Sequence, residues 1–259
     1  MMPRRIATAV LALSLGAAVF GCASPEPREP PPPPDQLTLQ EEVALGRAAA
    51  PAVASGLGGQ AEDLAVQAYV RTIGQRVARA THRSALPYRF AVLDSAEPRG
   101  AALPGGVIYV TRGLLQRLDA EAQLAAALAR QLAHLAAGHV RRTLTDRFSL
   151  ADLRRAAAAG EVPADGSGDP EAARRVAQAL HDPSYDSDQQ READRLGLDY
   201  LAAAGYNPAQ MAVYLDRIGA GHERVEQVRA VAARKYADRR GRVADDVYRR
   251  EVLDRLGKP

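Results

Sequence analysis

The chain has 259 residues, 47% of them hydrophobic and 25% charged, enough to bury one core of ordinary size. Its 34 Lys and Arg stand against 31 Asp and Glu, a formal charge of +3. Arg4 and Arg5 lie in a leader expected to be removed, so the mature surplus is +3 − 2 = +1, too balanced for a nucleic-acid binder.

In chain order, "MMPRR" is a short positive region and "IATAVLALSLGAAVF" an apolar run too short for a comfortable membrane span. It ends in "VFGC", which resembles a bacterial lipoprotein signal. Residues 1–21 would be the signal peptide, and cleavage would leave Cys22 as the lipidated N-terminus. Cys22 is the only cysteine, so no intrachain disulfide is possible. An acyl anchor of two or more chains gives stable membrane attachment. Ala23, with no acidic retention residue, points to the outer membrane, facing the periplasm. Residues 22–36 then form the lipidated cysteine and a proline-rich tether, and 37–259 the folded domain.

"TLQE" is a capping box, with Thr38 as N-cap and Glu41 three residues on, and predicts a short helix to about Arg47. "GLGG" (56–59) breaks the chain, and Leu64, Val66, Val70, Ile73 and Val77 give a helical stripe over 61–80. "YRFAVLDS" (88–95) reads as a strand and "LPGGVIYVT" (103–111) as a second, introduced by a Pro-Gly-Gly turn. The second strand, with Gly106, Val107, Ile108, Tyr109 and Val110, is expected at a sheet edge, open to an extended peptide unless a loop blocks it. Asp119 is expected to cap a long helix, with Glu121 in its first turn, running to about Arg142. Residues 160–170 read as a polar loop and 171–180 as a helix, followed by "YDSDQQREADRLGLDYLAAAG", which Gly205 ends. Asn207 and Pro208 open another helix, and two more close the chain, the last carrying Val247, Val252, Leu253 and Leu256. The Arg/Lys-rich segment 234–242 reads as a solvated face. The fold class is α+β, mostly α, with one small sheet.

Three stretches now stand in order: "LPGGVIYVTRGLL", "RQLAH" and "QREADRLGLDYLAAAGYNP". Together they resemble the gluzincin metallopeptidases of the CAAX-prenyl-protease, HtpX and BepA type (peptidase family M48), in their bacterial envelope lipoprotein branch. The resemblance runs roughly from Leu37 to Leu256. It implies a zincin-like (minigluzincin) domain, with a small sheet packed on the active-site helix and a second helix facing it. It also implies zinc held by an HExxH helix and by the Glu of a later ExxxD motif, with the HExxH Glu activating the metal-bound water.

Carried over residue by residue, Arg130 stands at the first His, Gln131 at the general base and Gln190 at the third ligand, while His134 and Asp194 are retained. Arginine is always cationic and offers only donors, so it cannot bind Zn²⁺. Gln131 cannot take a proton at neutral pH, and the amide oxygen of Gln190 is a poor zinc ligand. No catalytic residue and no cofactor are therefore expected. His139, five residues after His134, stands about 140° around a continuous helix and is expected to point away from it, in a supporting or structural role. His181 and His222 are the remaining histidine candidates. A buried Arg130 needs an anion, and Asp194 and Glu192 are the candidates. Arg130 is expected to pair with Asp194, with Gln190 and Gln131 hydrogen-bonded around it, and His134 to be a core histidine held by a carboxylate or carbonyl.

Arg99 and Ala101 stand where family members carry the Asn and Phe of an Asn-Ala-Phe-Ala run. The segment 147–175 is more charged than its family counterpart and reads as an exposed insertion. These departures imply an inactive pseudopeptidase that binds unfolded or extended polypeptide, or serves as an adaptor to an envelope assembly protein in outer-membrane protein quality control. The alternatives are an active zinc metalloendopeptidase with an unconventional site and a purely structural envelope interaction protein.

Overall fold

The computed structural model describes residues 36–160 and 169–257. The expected signal peptide, Cys22, the proline-rich run to Asp35 and most of the 160–170 loop lie outside the described residues. Helix α1 (Leu39–Gly56) opens on the expected capping box: Thr38 N–H donates to Glu41 Oε2 at 2.7 Å, and Glu41 N–H to Thr38 Oγ1 at 3.1 Å. It passes through Pro51, beyond the stop expected near Arg47, because Ala49 and Val53 on its inner face are buried in the core. Helix α2 (Leu64–Ala78) is capped by Asp63 and buries Val66, Val70, Ile73 and Val77; Leu64, at its first position, is exposed.

The expected 103–111 strand forms after its Pro-Gly-Gly turn, at Val107–Thr111, and a further strand, unforeseen in the sequence, precedes that turn. β1 (Arg89–Leu93) runs parallel to β3 (Val107–Thr111), and β2 (Gly100–Leu103) runs antiparallel to β3, so the order is β1-β3-β2. The Pro104–Gly106 turn joins β2 to β3, with Gly105 at φ 70°. A side chain there would meet Val43 Cα at 2.4 Å, so a glycine is needed for both torsion and space. The edge expected for Gly106, Val107, Ile108, Tyr109 and Val110 is therefore corrected: β3 is the middle strand, with both ladders occupied, and every β3 residue is buried. β1 and β2 are the edges.

Helix α3 (Arg112–Arg117), unforeseen in the sequence, follows directly on the Thr111 cap. Helix α4 (Glu121–Ala136) is buried on every side from Glu121 to Leu135, its Glu121, Gln123, Arg130, Gln131 and His134 included, so these polar groups depend on partners inside the fold. Its N-cap is Ala120 rather than Asp119, whose carboxylate pairs with Arg217. It does not run on to Arg142. Gly138, in the left-handed region at φ 75°, ends it, and α5 (His139–Thr145) starts in a new direction. Helices α6 (Leu150–Ala158) and α7 (Pro170–His181) pack on α1 through Leu153, Ala156, Ala173 and Val176, so these parts of the expected exposed insertion belong to the core. Helices α8 (Ser187–Ala203), α9 (Gln210–Arg217) and α10 (His222–Lys235) follow, with α8 and α9 packed on α4. Asp245–Tyr248, a wide turn at Arg249–Leu253 and Asp254–Leu256 close the described chain. Among the described residues no helix is long and apolar enough to cross a membrane. The fold is mostly helical α+β with one small mixed sheet.

Candidate functional site

The site forms where α8 crosses α4. Gly197 sits on the α4 backbone, where an added Cβ would lie 3.4 Å from Arg130 N, and that close approach brings the preceding turns of α8 against Arg130. Arg130 Nε donates to Asp194 Oδ1 at 3.2 Å, and its Nη2 donates to Gln190 Oε1. Asp194 is 2% exposed and also accepts two bonds from Arg224 of α10, Nε at 2.6 Å and Nη2 at 2.8 Å. Arg130 thus meets the expected partners Asp194 and Gln190. Gln131 is not part of this network: it faces β2, within 2.9 Å of where a Cβ on Gly100 would be. Glu192 reaches His139 instead of Arg130.

The break at Gly138 overturns the expected geometry of His139. Because α5 takes a new direction, His139 Nδ1 comes to 3.1 Å from His134 Nδ1, and its Nε2 lies 3.2 Å from a Glu192 carboxylate oxygen. His134 and His139 share one hydrogen bond between their Nδ1 atoms, which leaves Nε2 as the remaining ring nitrogen of His134. That nitrogen is buried and has no hydrogen-bond partner among the described residues. Burial first, then the Arg130 guanidinium, pushes the His134 imidazole far below its ordinary range and keeps it neutral. His134 is held by a histidine, not directly by a carboxylate or carbonyl. Tyr185 covers it: the rings stack at 3.9 Å with 14° between planes. Ser184, at φ 48°, is the strained residue just before Tyr185.

A cavity of about 210 Å³ lies between the outer edge of β2, Arg130 and Gln131 of α4, and the segment 180–185. A second, of about 470 Å³, shares Tyr185 and Gln190 with it and reaches His222 and Arg224 at the start of α10. His181 is held by Arg99, which donates to its carbonyl. Among the described residues neither His181 nor His222 is hydrogen-bonded to His134: His181 lies against Arg99, and His222 lines the second cavity.

The model of Peptidase family M48 matches residues 64–237. The chain belongs to peptidase family M48. Among curated proteins, the beta-barrel assembly-enhancing protease of Yersinia pestis is 23% identical over 194 residues, covering 70% of this chain and 38% of that protein. The protein of the same name from Escherichia coli (strain K12) is 22% identical over 194 residues, again 70% and 38%. A putative beta-barrel assembly-enhancing protease of Vibrio cholerae is 24% identical over 161 residues, 60% of this chain and 33% of that protein. The chain thus matches well under half the length of these M48 relatives.

M48 peptidases use zinc, and the residues gathered here do not fit it. Structural and catalytic zinc takes three or four N, O or S lone pairs in a tetrahedral set. Here His134 Nε2 offers at most one, Gln190 Oε1 already accepts from Arg130, and Arg130 brings a fixed positive charge into the same space. No group of three or more metal-ligating side chains occurs among the described residues.

Sequence reading missed two members of this site. Arg224 lies thirty residues beyond Asp194 on another helix, outside the three matched stretches. Tyr185 sits in a loop with no motif. The 234–242 segment is a solvated face, as expected, with no residue of it buried, and its cations also pair inward. Arg242 pairs with the buried Glu121 at 2.8 Å, Lys235 with Asp199, and Arg239 donates to the Ala202 carbonyl. Burial alone would raise the Glu121 carboxyl, but bonds from Tyr69, Tyr206 and Arg242 outweigh it and hold it below the usual range.

Proposed function

We propose that this chain is a zinc-free, catalytically inactive M48 lipoprotein of the bacterial envelope that holds extended polypeptide, or acts as an adaptor, in outer-membrane protein quality control. The observation that carries this reading is the Arg130–Asp194–Gln190 network, with Arg130, Gln131 and Gln190 at the family's first-ligand, base and third-ligand positions. A guanidinium bonded to the retained Asp194 organises the α4–α8 crossing without a metal, and Gln131 has no basic site for activating water. The name borne by the relatives supports the envelope setting.

In this reading residues 1–21 are the signal peptide, Cys22 carries the acyl anchor in the outer membrane facing the periplasm, 22–36 tether the domain, and 37–259 form it. The free outer edge of β2 beside a cavity favours polypeptide capture over a purely structural role.

Metal analysis of the full chain, purified and dialysed after exposure to zinc, tests the reading. Less than a tenth of an equivalent is expected; one zinc per chain, or peptide cleavage that a chelator abolishes, would return it to the active peptidases. Fatty-acid labelling that persists in Cys22→Ser would remove the anchor.

A further inference from the structure

β2 is an edge strand, and its pairing fixes which of its backbone groups are free. Thr111 N–H donates to Arg99 C=O at 2.9 Å, so the alternation of an antiparallel ladder turns Arg99, Ala101 and Leu103 toward β3. The N–H and C=O groups of Gly100 and Ala102 face outward, and none has a hydrogen-bond partner among the described residues. These two residues line the 210 Å³ cavity, and their small side chains let another backbone approach closely.

The cavity is asymmetric in charge and in shape. Its walls hold two guanidiniums, Arg99 and Arg130, against one carboxylate, Asp182, and Arg99 also pairs at 3.4 Å with Glu97, whose carboxylate is more than half exposed. Behind Arg130, the single carboxylate of Asp194 is shared between Arg130 and Arg224, so that buried cluster also has one more cation than anion. At the Gly100 end the Arg99 guanidinium donates to the His181 carbonyl and lies 3.5 Å from His181 Nε2, tying one wall of the groove to the other. A groove crossed in this way suits the end of a chain better than a chain passing through.

Direction follows from the strand. A peptide added antiparallel to β2 runs from Leu103 towards Gly100, and its last residue arrives beside Arg99, Gln131 and Arg130. We infer that this cavity captures the C-terminal carboxylate of an extended polypeptide, paired to the free edge of β2 and read by the guanidiniums of Arg99 and Arg130. The planar, five-donor guanidinium matches a carboxylate, and charge-assisted bonds of this kind are the strong ones. This rests on the polypeptide-holding reading above and names the part of the polypeptide that is held.

The test uses the full chain and a fluorescein-labelled octapeptide of alternating threonine and valine, made once as the free acid and once as the C-terminal amide, with binding followed by anisotropy. The free acid is expected to bind, and the amide at least about tenfold more weakly. Arg99→Gln and Arg130→Met should each reduce that preference; Arg99 lies away from the α4–α8 crossing and keeps the test open if Arg130→Met does not fold. Equal binding of acid and amide overturns the carboxylate inference and leaves polypeptide holding intact. Binding of neither peptide overturns both. An acid preference unchanged in both variants places the carboxylate elsewhere and overturns this cavity's role.

Discussion

Replacing Asp194 by Asn removes one negative charge from the α4–α8 crossing with almost no change of shape. Among the described residues Asp194 is the only carboxylate bonded to Arg130, whose side chain is 11% exposed, and it also holds Arg224, at 21%. Removing one partner of a buried ion pair costs about 3–5 kcal/mol, because the other charge is left without compensation. Arg224 can turn partly to water and Gln190 still accepts from Arg130, so the lower end applies, about 3 kcal/mol. For a chain of this size that lowers Tm by about 6–12 °C. Thermal unfolding of the full chain at pH 7, followed by circular dichroism, measures it. Adding Arg130→Met should return at least half of the loss, since the uncompensated charge goes with it. A drop of less than about 2 °C, or a double variant no more stable than Asp194→Asn alone, would refute the claim that the pair organises the crossing.

The combined change Arg130→His, Gln131→Glu and Gln190→Glu should restore one zinc per chain by metal analysis, and adding Tyr185→Ala should tighten it, because the Tyr185 ring lies 3.9 Å over His134. If no zinc binds even then, the framework itself has drifted. Burial and Arg130 hold His134 neutral where an unfolded histidine, with its ordinary pKa of about 6.5, takes a proton. Its contribution to stability is therefore complete above that value and is lost as pH falls below it, by up to roughly 1.4 kcal/mol per unit. His134→Gln should flatten the stability profile between about pH 6.5 and 5, and an unchanged slope there would count against a neutral His134. Glu121→Ala leaves two tyrosine hydroxyls and Arg242 without their acceptor and should cost about 2 kcal/mol in urea unfolding, whereas Arg242→Ala, with its half-exposed side chain, should cost under about 1 kcal/mol. Equal losses would contradict the ordering.

What the sequence determined by itself is what rests on local pattern and on side-chain chemistry. The Thr38 capping box, the α2 stripe, the Gly205 stop and the order of the three motifs all lie within short windows, and they led to the mostly helical α+β fold and the family. The pairing of Arg130 with Asp194 was legible because a guanidinium on an apolar helix has to find an anion, and the motif spacing left few to choose from. Tertiary structure alone decided the rest. Periodicity assumes a continuous helix, so it could not foresee that Gly138 would end α4 and swing His139 onto His134. Apolar alternation marks a strand without saying what lies beside it, so the free edge was assigned to β3, which pairs on both sides, when it belongs to β2. Arg224 and Tyr185 reach the site from a distant helix and from a motif-free loop. Their positions follow from how the helices pack at α4, a sum of many weak contacts between residues far apart in the chain, which no local window records.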